Sequence, residues 1–240
     1  MSNLLMNKKF SDSFDSESRI IDENTPFAIR EAYKALYTNV RYLNIEDKCK
    51  KIVVTSGVSG EGKTTLSVNL AITLAQNLED KRVLLIDADM RRPRVDRVLS
   101  LDPRGHGLSE YLAGIDEDPQ FEYLSHYKLM VLTSGGRNVN PTKLIGSERM
   151  RKLIAACEKE FDYIIIDTPP VTVVTDAILF NSVVNGYIIA ARSDYSNVNK
   201  LSNCVAALEQ VGADIYGIVL SDMRVKKSDG RYSNYNRYGD

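Results

Sequence analysis

The stretch that decides the fold is Ile52-Val53-Val54-Thr55-Ser56-Gly57-Val58-Ser59-Gly60-Glu61-Gly62-Lys63-Thr64-Thr65. Its second half has the spacing Gly-x-x-x-x-Gly-Lys-Thr of a phosphate-binding loop, with an apolar run before it and apolar residues at helical spacing after it. Glycines let a backbone wrap closely around an oligophosphate and direct N–H groups at it. The sequence therefore predicts a site for ATP or GTP.

Each part of this loop has a predicted role. We expect the Lys63 ammonium to reach the β- and γ-phosphates and the Thr64 hydroxyl to bind Mg²⁺. An ordinary glycine-rich turn is the alternative, and the flanking strand and helix patterns argue against it. The residues predicted to contact the nucleotide are Ser59, Gly60, Glu61, Gly62, Lys63, Thr64 and Thr65.

Composition narrows the class of protein. The 240 residues are 43% hydrophobic and 26% charged, which is ordinary for one globular domain, and a formal net charge of −1 argues against a general nucleic-acid binder. Cys49, Cys157 and Cys204 are scattered and form no Cys-x-x-Cys pair, which favours a reducing compartment over a disulfide frame or zinc site. No apolar run approaches a membrane span, so we expect a cytoplasmic protein.

The chain is predicted to have three parts. Residues 1–25 are rich in Ser, Asn, Asp and Glu and are expected to be a flexible extension. Residues 26–225 form the phosphate-loop domain, beginning with a helix from Pro26 to about Leu43. Residues 226–240 lack aliphatic side chains and are expected to be a flexible polar tail.

Apolar runs and helical patterns alternate through the domain. Because most of the runs are continuously apolar, they indicate strands buried on both faces, and residues 147–159 and 196–210 indicate helices between them. The predicted fold is α/β and doubly wound, with a mostly parallel sheet and helices on both faces. The predicted strands are 52–54, 83–86, 129–132, 164–166, 187–190 and 215–220.

Two of these strands end in aspartate. Asp87 and Asp89 follow one strand and Asp167 follows another, so all three are expected at the sheet edge where the phosphate loop lies. Mg²⁺ prefers such hard oxygen ligands, and we predict that Asp167 either binds it directly or supports one of its direct ligands. The extra pair favours a general base, with Asp87 or Asp89 accepting a hydroxyl proton. Capping of a following turn is the alternative for any one of them.

Two further segments carry charge or tyrosine. Three interpretations are open for the basic cluster Met90-Arg91-Arg92-Pro93-Arg94. It stabilises the negative charge of the transferring phosphate, contacts the acidic surface of a partner, or is a solvated face. The tail carries Tyr232, Tyr235 and Tyr238 at a spacing of three. Aromatic contact with the domain is one explanation. The other is that these phenols are phosphoacceptors, which phosphorylation would make strongly negative.

Several ordered motifs together resemble the bacterial tyrosine kinases of capsule and exopolysaccharide synthesis. The resemblance covers roughly residues 26–240 and implies a P-loop fold, ATP and Mg²⁺ as cofactors, and autophosphorylation of the tail tyrosines between subunits. It also implies catalytic roles for Lys63, Asp87, Asp89 and Asp167, and metal binding by Thr64, Asp87 and Asp167. The motifs are residues 57–65, Leu85-Ile86-Asp87-Ala88-Asp89-Met90-Arg91-Arg92-Pro93, Phe161-Asp162-Tyr163-Ile164-Ile165-Ile166-Asp167-Thr168-Pro169-Pro170, Thr175-Asp176-Ala177 and the tyrosine tail.

The same resemblance implies partners. They are the cytoplasmic segment of a transmembrane activator that recruits the chain to the inner face of the plasma membrane, further copies of the chain, and a tyrosine phosphatase, but no nucleic acid. Two positions depart from the family pattern. The ring-forming Glu-x-x-Arg-x-x-Arg element reads Glu31, Lys34 and Tyr37 here, and Ser221 stands where members commonly carry the Asn near adenine.

Two other functions compete with a kinase. A switch ATPase of the partitioning or division-site type shares the fold, but its extra lysine after the first loop glycine is replaced here by Val58. A nucleotide-binding scaffold without turnover is the third possibility, and the intact set of Lys63 and the strand-end carboxylates argues against it.

Overall fold

The computed structural model describes residues 20–102, 105–136 and 140–222, so most of the predicted extension and the three tail tyrosines lie outside it. Its centre is a seven-stranded sheet in the order β3-β4-β2-β5-β1-β6-β7, in which only the β3–β4 pair is antiparallel. The strands are β1 (Lys50–Ser56), β2 (Val83–Asp87), β3 (Glu122–Leu124), β4 (Leu129–Leu132), β5 (Tyr163–Asp167), β6 (Gly186–Arg192) and β7 (Ile215–Ser221).

Helices cover both faces of the sheet, which confirms the predicted doubly wound α/β class. Two apolar cores lie between the helices and the sheet, one on each face. Every residue of β2 and β5 is buried between these cores. The helices are α1 (Phe27–Arg41), α2 (Lys63–Asn77), α3 (Val95–Val98), α4 (Leu108–Ala113), α5 (Pro141–Ile145), α6 (Glu148–Glu160) and α7 (Val198–Glu209), with a 3₁₀ helix at Ile178–Ser182. Among the described residues, no helix is both long and apolar enough to span a membrane.

Helix α2 is more buried than the apolar residues at helical spacing after the phosphate loop had indicated. It is buried on nearly all sides, and even the polar Ser67, Asn69 and Thr73 are enclosed. The reason is that α1 packs over its outer side while its inner side lies on the sheet. Ile21, at the end of the predicted extension, also donates its N–H to Asn69 Oδ1 at 2.9 Å.

Strand β3 and the short helices α3, α4 and α5 were not predicted. Each is between three and six residues long. A periodic pattern of apolar residues needs more residues than that to be visible, so sequence reasoning misses such elements.

The sheet order brings the functional strand ends together. β5 lies between β1 and β2, with Val54 and Asp87 each level with Asp167 in the parallel ladders. The chain therefore leaves β1, β2 and β5 at one edge, which is where doubly wound sheets bind ligands.

The central strands should dominate stability. We expect Ile165→Ala, which empties a fully buried site in β5, to lower the free energy of unfolding by about 2 to 5 kcal/mol in urea denaturation. Ile218→Ala is the matched control, since Ile218 is 48% exposed on the edge strand β7, and it should change stability by less than about 0.5 kcal/mol. Equal losses for the two variants would contradict this view of the core.

Candidate active site

The phosphate loop between β1 and α2 has the backbone of an anion-binding nest. Gly60 and Gly62 have φ angles of +91° and +85°, a conformation that residues with a Cβ adopt only with strain. In the described part of the chain, no backbone N–H from residue 59 to residue 65 donates to a protein acceptor. Consecutive free N–H groups at a helix N-terminus are what an oligophosphate binds.

Lys63 is buried and faces a carboxylate. Its Nζ lies 2.8 Å from Asp89 Oδ2, with the two side chains only 11% and 5% exposed. The other Asp89 oxygen accepts the backbone N–H of Arg92 at 3.0 Å. The structure thus brings together two residues that were predicted to follow different strands, and it pairs the loop lysine with one of the predicted bases.

Asp167 is held by hydroxyl groups of α2. Thr64 Oγ1 donates to Asp167 Oδ2 at 2.7 Å and Ser67 Oγ donates to Asp167 Oδ1 at 3.1 Å. Ser67 was not predicted as a site residue, although it lies one helical turn after Thr64 and therefore on the same face. The predicted Mg²⁺ ligands Thr64 and Asp167 are thus in direct contact.

Asp87 is surrounded by backbone donors. Its Oδ1 accepts the N–H of Asp89 at 3.1 Å, and its Oδ2 accepts those of Arg94 and Val95, both at 3.1 Å. The side chain is fully buried. These contacts fix the turn that follows β2, and the predicted metal and base roles of Asp87 stay predictions.

The site holds more buried negative charge than its own lysine can balance. Burial, followed by the charge of Asp167, raises the pKa of Asp87 well above its usual range. Burial also raises the pKa of Asp167, although the Lys63 ammonium opposes that rise. A divalent cation fits this edge of the sheet because it would supply the missing positive charge next to hard oxygen ligands.

The described residues contain no ready-made cage of three or more acidic, His or Cys ligands. That agrees with the way Mg²⁺ binds in nucleotide sites, where one or two carboxylates share it with phosphate oxygens and water. The Thr64 hydroxyl and the Asp167 carboxylate are the groups that would hold it here.

Sequence reasoning missed a set of contacts that hold the outer side of the phosphate loop. Tyr195 Oη donates to the carbonyl of Ser59 at 2.9 Å, and Ser196 Oγ donates to Glu61 Oε1. Glu61 Oε2 in turn accepts the N–H of Val58 at 2.8 Å, so Glu61, predicted as a nucleotide contact, is turned toward the protein. Both residues of the pair 195–196 follow β6, and the rule that strand ends carry function would have pointed to them.

Comparison with known proteins places this geometry in a family. The profile of a family described as NUBPL iron-transfer P-loop NTPase (ParA) matches residues 48–238. The tyrosine-protein kinase CpsD of Streptococcus agalactiae is 34% identical over 210 residues, which cover 87% of this chain and 89% of CpsD. The chain belongs to the bacterial tyrosine-protein kinases.

Two further matches, one by sequence and one by structure, extend the comparison. The tyrosine-protein kinase etk of Escherichia coli (strain K12) is 33% identical over 229 residues, covering 92% of this chain but 31% of etk, so the chain spans about a third of that relative. The crystal structure of the chimerical protein CapA2B2 has a TM-score of 0.78 and 31% identity, covering 85% of this chain and 88% of that one.

The first arginine after Asp89 has a structural partner in this family member. Arg91 donates from Nε and Nη2 to the carboxylate of Asp176 at 2.7 and 3.1 Å, and Thr142 Oγ1 donates to the same carboxylate at 2.6 Å. Hydrogen bonding to Asp176 raises the pKa of Arg91. Arg92 and Arg94 are exposed and form no ion pair within the described residues, so the basic cluster divides into one structural arginine and two solvated ones.

The two departures from the family pattern lie on the surface or beside the loop. Glu31 and Lys34 form an exposed ion pair of 2.8 Å within α1, and Tyr37 accepts a hydrogen bond from Arg41 at 3.2 Å. Their predicted role in oligomerisation stays a prediction. Ser221 ends β7, and its Oγ would lie 3.5 Å from a Cβ placed on Gly62, which puts it beside the phosphate loop.

The raised pKa of Asp167 predicts a pH dependence of the nucleotide-free protein. The folded state holds the Asp167 proton more tightly than the unfolded state, so the wild type loses stability as pH rises above the ordinary aspartate value of 3.8. Asp167→Asn cannot titrate. We therefore expect its melting temperature relative to wild type to increase between about pH 4 and pH 7, measured with a chelator present.

Asp162→Asn is the control with the opposite sign. Burial opposes the effect, but hydrogen bonds from Lys81 and the Arg82 N–H keep the pKa of Asp162 below its usual value. Asp162 therefore stabilises the wild type as pH rises through the ordinary aspartate value of 3.8, and the melting temperature of this variant relative to wild type should fall from about pH 3 to about pH 5 and then stay level. The same trend in both variants would contradict the assignment.

Proposed function

We propose that the chain is an ATP-dependent protein-tyrosine kinase that autophosphorylates Tyr232, Tyr235 and Tyr238 between subunits. The observation that supports this most is the buried pairing of Lys63 with Asp89, because it places a phosphate-binding cation next to a candidate base. The kinase relatives support the same conclusion from sequence. The tail tyrosines lie outside the described residues.

The binding step uses the phosphate loop. The N–H groups of residues 59–65, which have no acceptor among the described residues, and the Lys63 ammonium bind the phosphates of ATP. Thr64 and Asp167 would hold Mg²⁺. When bound, Mg²⁺ neutralises charge that develops on the β- and γ-phosphate oxygens. Lys63 must then exchange Asp89 for phosphate.

The proton step distinguishes the two carboxylates after β2. Both oxygens of Asp87 accept backbone N–H groups and its side chain is fully buried, so Asp87 is fixed in the turn after β2 with neither oxygen turned to a substrate. Asp89 keeps one oxygen on the Arg92 N–H, and departure of Lys63 frees the other. We therefore assign the general base to Asp89 and the positioning of the turn to Asp87.

The transfer itself needs no covalent enzyme intermediate. A bond forms between the tyrosine oxygen and the γ-phosphorus, the bond between the γ-phosphorus and the β–γ bridging oxygen breaks, and ADP leaves with that oxygen. The phenol proton passes to Asp89. A base is needed because free tyrosine has a pKa near 10.

The biological setting follows from family membership. We propose that the kinase regulates capsule or exopolysaccharide synthesis and export, and that it works in the cytoplasm at the inner face of the plasma membrane. There the cytoplasmic segment of a transmembrane protein would recruit and activate the kinase, and a tyrosine phosphatase would dephosphorylate the tail tyrosines.

Replacement of the loop lysine tests the kinase assignment. Lys63→Met removes the buried ammonium, so labelling of tyrosine with MgATP and an activator segment should fall by at least about 100-fold, as judged by phosphotyrosine mass spectrometry. Lys152→Met, on the exposed face of α6, should label like wild type. Retained labelling in Lys63→Met would refute the assignment, and ATP hydrolysis without any phosphotyrosine in wild type would favour a switch ATPase.

Replacement of the acceptors tests the site of transfer. The triple variant with Tyr232, Tyr235 and Tyr238 changed to Phe keeps the rings but lacks the attacking oxygens, so it should lose most self-phosphorylation and still bind MgATP. Tyr123→Phe, at an exposed tyrosine of the domain, is the control and should keep it. If the triple variant carries as much phosphate as wild type, the acceptors lie in the domain.

A further inference from the structure

The turn between β6 and α7, residues 193–197, holds the phosphate loop from outside. Besides the bonds from Tyr195 to Ser59 and from Ser196 to Glu61, a Cβ added to Gly60 would lie 2.9 Å from Tyr195 Oη, so the loop rests directly against the tyrosine hydroxyl. The turn is itself fixed, because the Arg192 N–H donates to Ser196 Oγ at 2.7 Å and the Ser196 N–H to the Arg192 carbonyl at 2.8 Å.

The bond from Tyr195 sets the orientation of one peptide in the loop. In a planar trans peptide the C=O and N–H point in opposite directions. Because Tyr195 draws the Ser59 carbonyl toward itself, the Gly60 N–H points to the other side of that peptide. The Gly60 N–H is one of the loop donors without a protein acceptor. Tyr195 thus orients the Gly60 N–H as a hydrogen-bond donor for phosphate without itself contacting the phosphate.

The same tyrosine is connected to the start of the tail. The Arg192 guanidinium lies 5.5 Å from the centre of the Tyr195 ring, and its Nε and Nη2 bind Asp222 Oδ2 at 2.7 and 2.6 Å. Asp222 is the last residue described before the segment that carries the tail tyrosines. The Ser193 N–H also donates to the Ser221 carbonyl at 2.9 Å.

We propose that Tyr195 is a positioning residue for the phosphate loop. In this proposal, the contacts from Tyr195 to Arg192 and from Arg192 to Asp222 couple the position of the tyrosine to the position of the chain just before the tail. This inference rests on the proposed function, since it assumes nucleotide at the loop. The link is reversible because Arg192 and Asp222 are 44% and 59% exposed, and exposed ion pairs are weak enough to be displaced. A tail drawn to a neighbouring subunit would release Arg192 and loosen the loop.

Calorimetric binding of MgADP tests the hold on the loop. Tyr195→Phe keeps the ring and its stacking with Arg192 but loses the hydroxyl, so MgADP should bind about two- to ten-fold more weakly. Tyr42→Phe is the matched control: Tyr42 is also an exposed tyrosine beside an arginine, Arg41, and lies away from the loop. It should bind like wild type. The urea midpoint should not change in either variant, and unchanged MgADP affinity in Tyr195→Phe would overturn the proposal.

A double-mutant cycle tests the connection to the tail. Asp222→Asn alone should weaken MgADP binding by up to about two-fold, and the same change should have no effect in the Tyr195→Phe background. Additive effects would overturn the link through Arg192.

Because MgADP binding needs no transfer, wild type that binds MgADP but forms no phosphotyrosine would refute the kinase proposal and leave the Tyr195 result standing. Wild type that fails to bind MgADP would overturn both.

Discussion

The rest of the site depends on a charge imbalance at the ends of three parallel strands. Asp87, Asp89 and Asp167 are all buried there, and within the described residues Lys63 is the buried cation that lies among them. Isolated charges in such surroundings are costly, and partial neutralisation by a proton, as the raised pKa of Asp87 and Asp167 shows, is one response. The proposed binding of Mg²⁺ with a nucleotide would be another, because the cation would supply positive charge next to the same carboxylates.

The phosphate loop is shaped from two sides. On the inner side, β1 and the turn after β5 hold its start, through the Val171 N–H to the Ser56 carbonyl and the Thr172 hydroxyl to the Gly57 carbonyl. On the outer side, Tyr195 and Ser196 hold its middle. A loop that keeps its shape without ligand avoids the entropy cost of ordering when phosphate arrives, which is the general advantage of preorganisation.

Sequence patterns predicted the long elements well because burial on both faces leaves continuous apolar runs, as in Tyr163–Asp167 and Leu129–Leu132. They also predicted which residues meet at the site, since Lys63, Asp89 and Asp167 all follow strands that end at the same edge. They could not show which carboxylate faces the lysine, because that depends on the turn after β2, where Asp87 binds backbone N–H groups and Asp89 projects toward Lys63. The hold of Tyr195 on Ser59 joins residues 136 positions apart and leaves no local pattern.

In the proposed mechanism, the ion pair between Lys63 and Asp89 would also impose an order on the reaction. Removing one partner of a buried ion pair leaves an uncompensated charge at high cost, so Lys63 can leave Asp89 only when phosphate takes over the ammonium. Until then the Lys63 ammonium occupies Asp89 Oδ2, so that oxygen is not available to a phenol. If Asp89 is the base, as proposed, it would become available only after the phosphoryl donor has bound, and the backbone N–H of Arg92 would keep the freed carboxylate in place. The lysine proposed to bind phosphate would thus also prevent the proposed base from acting in an empty site.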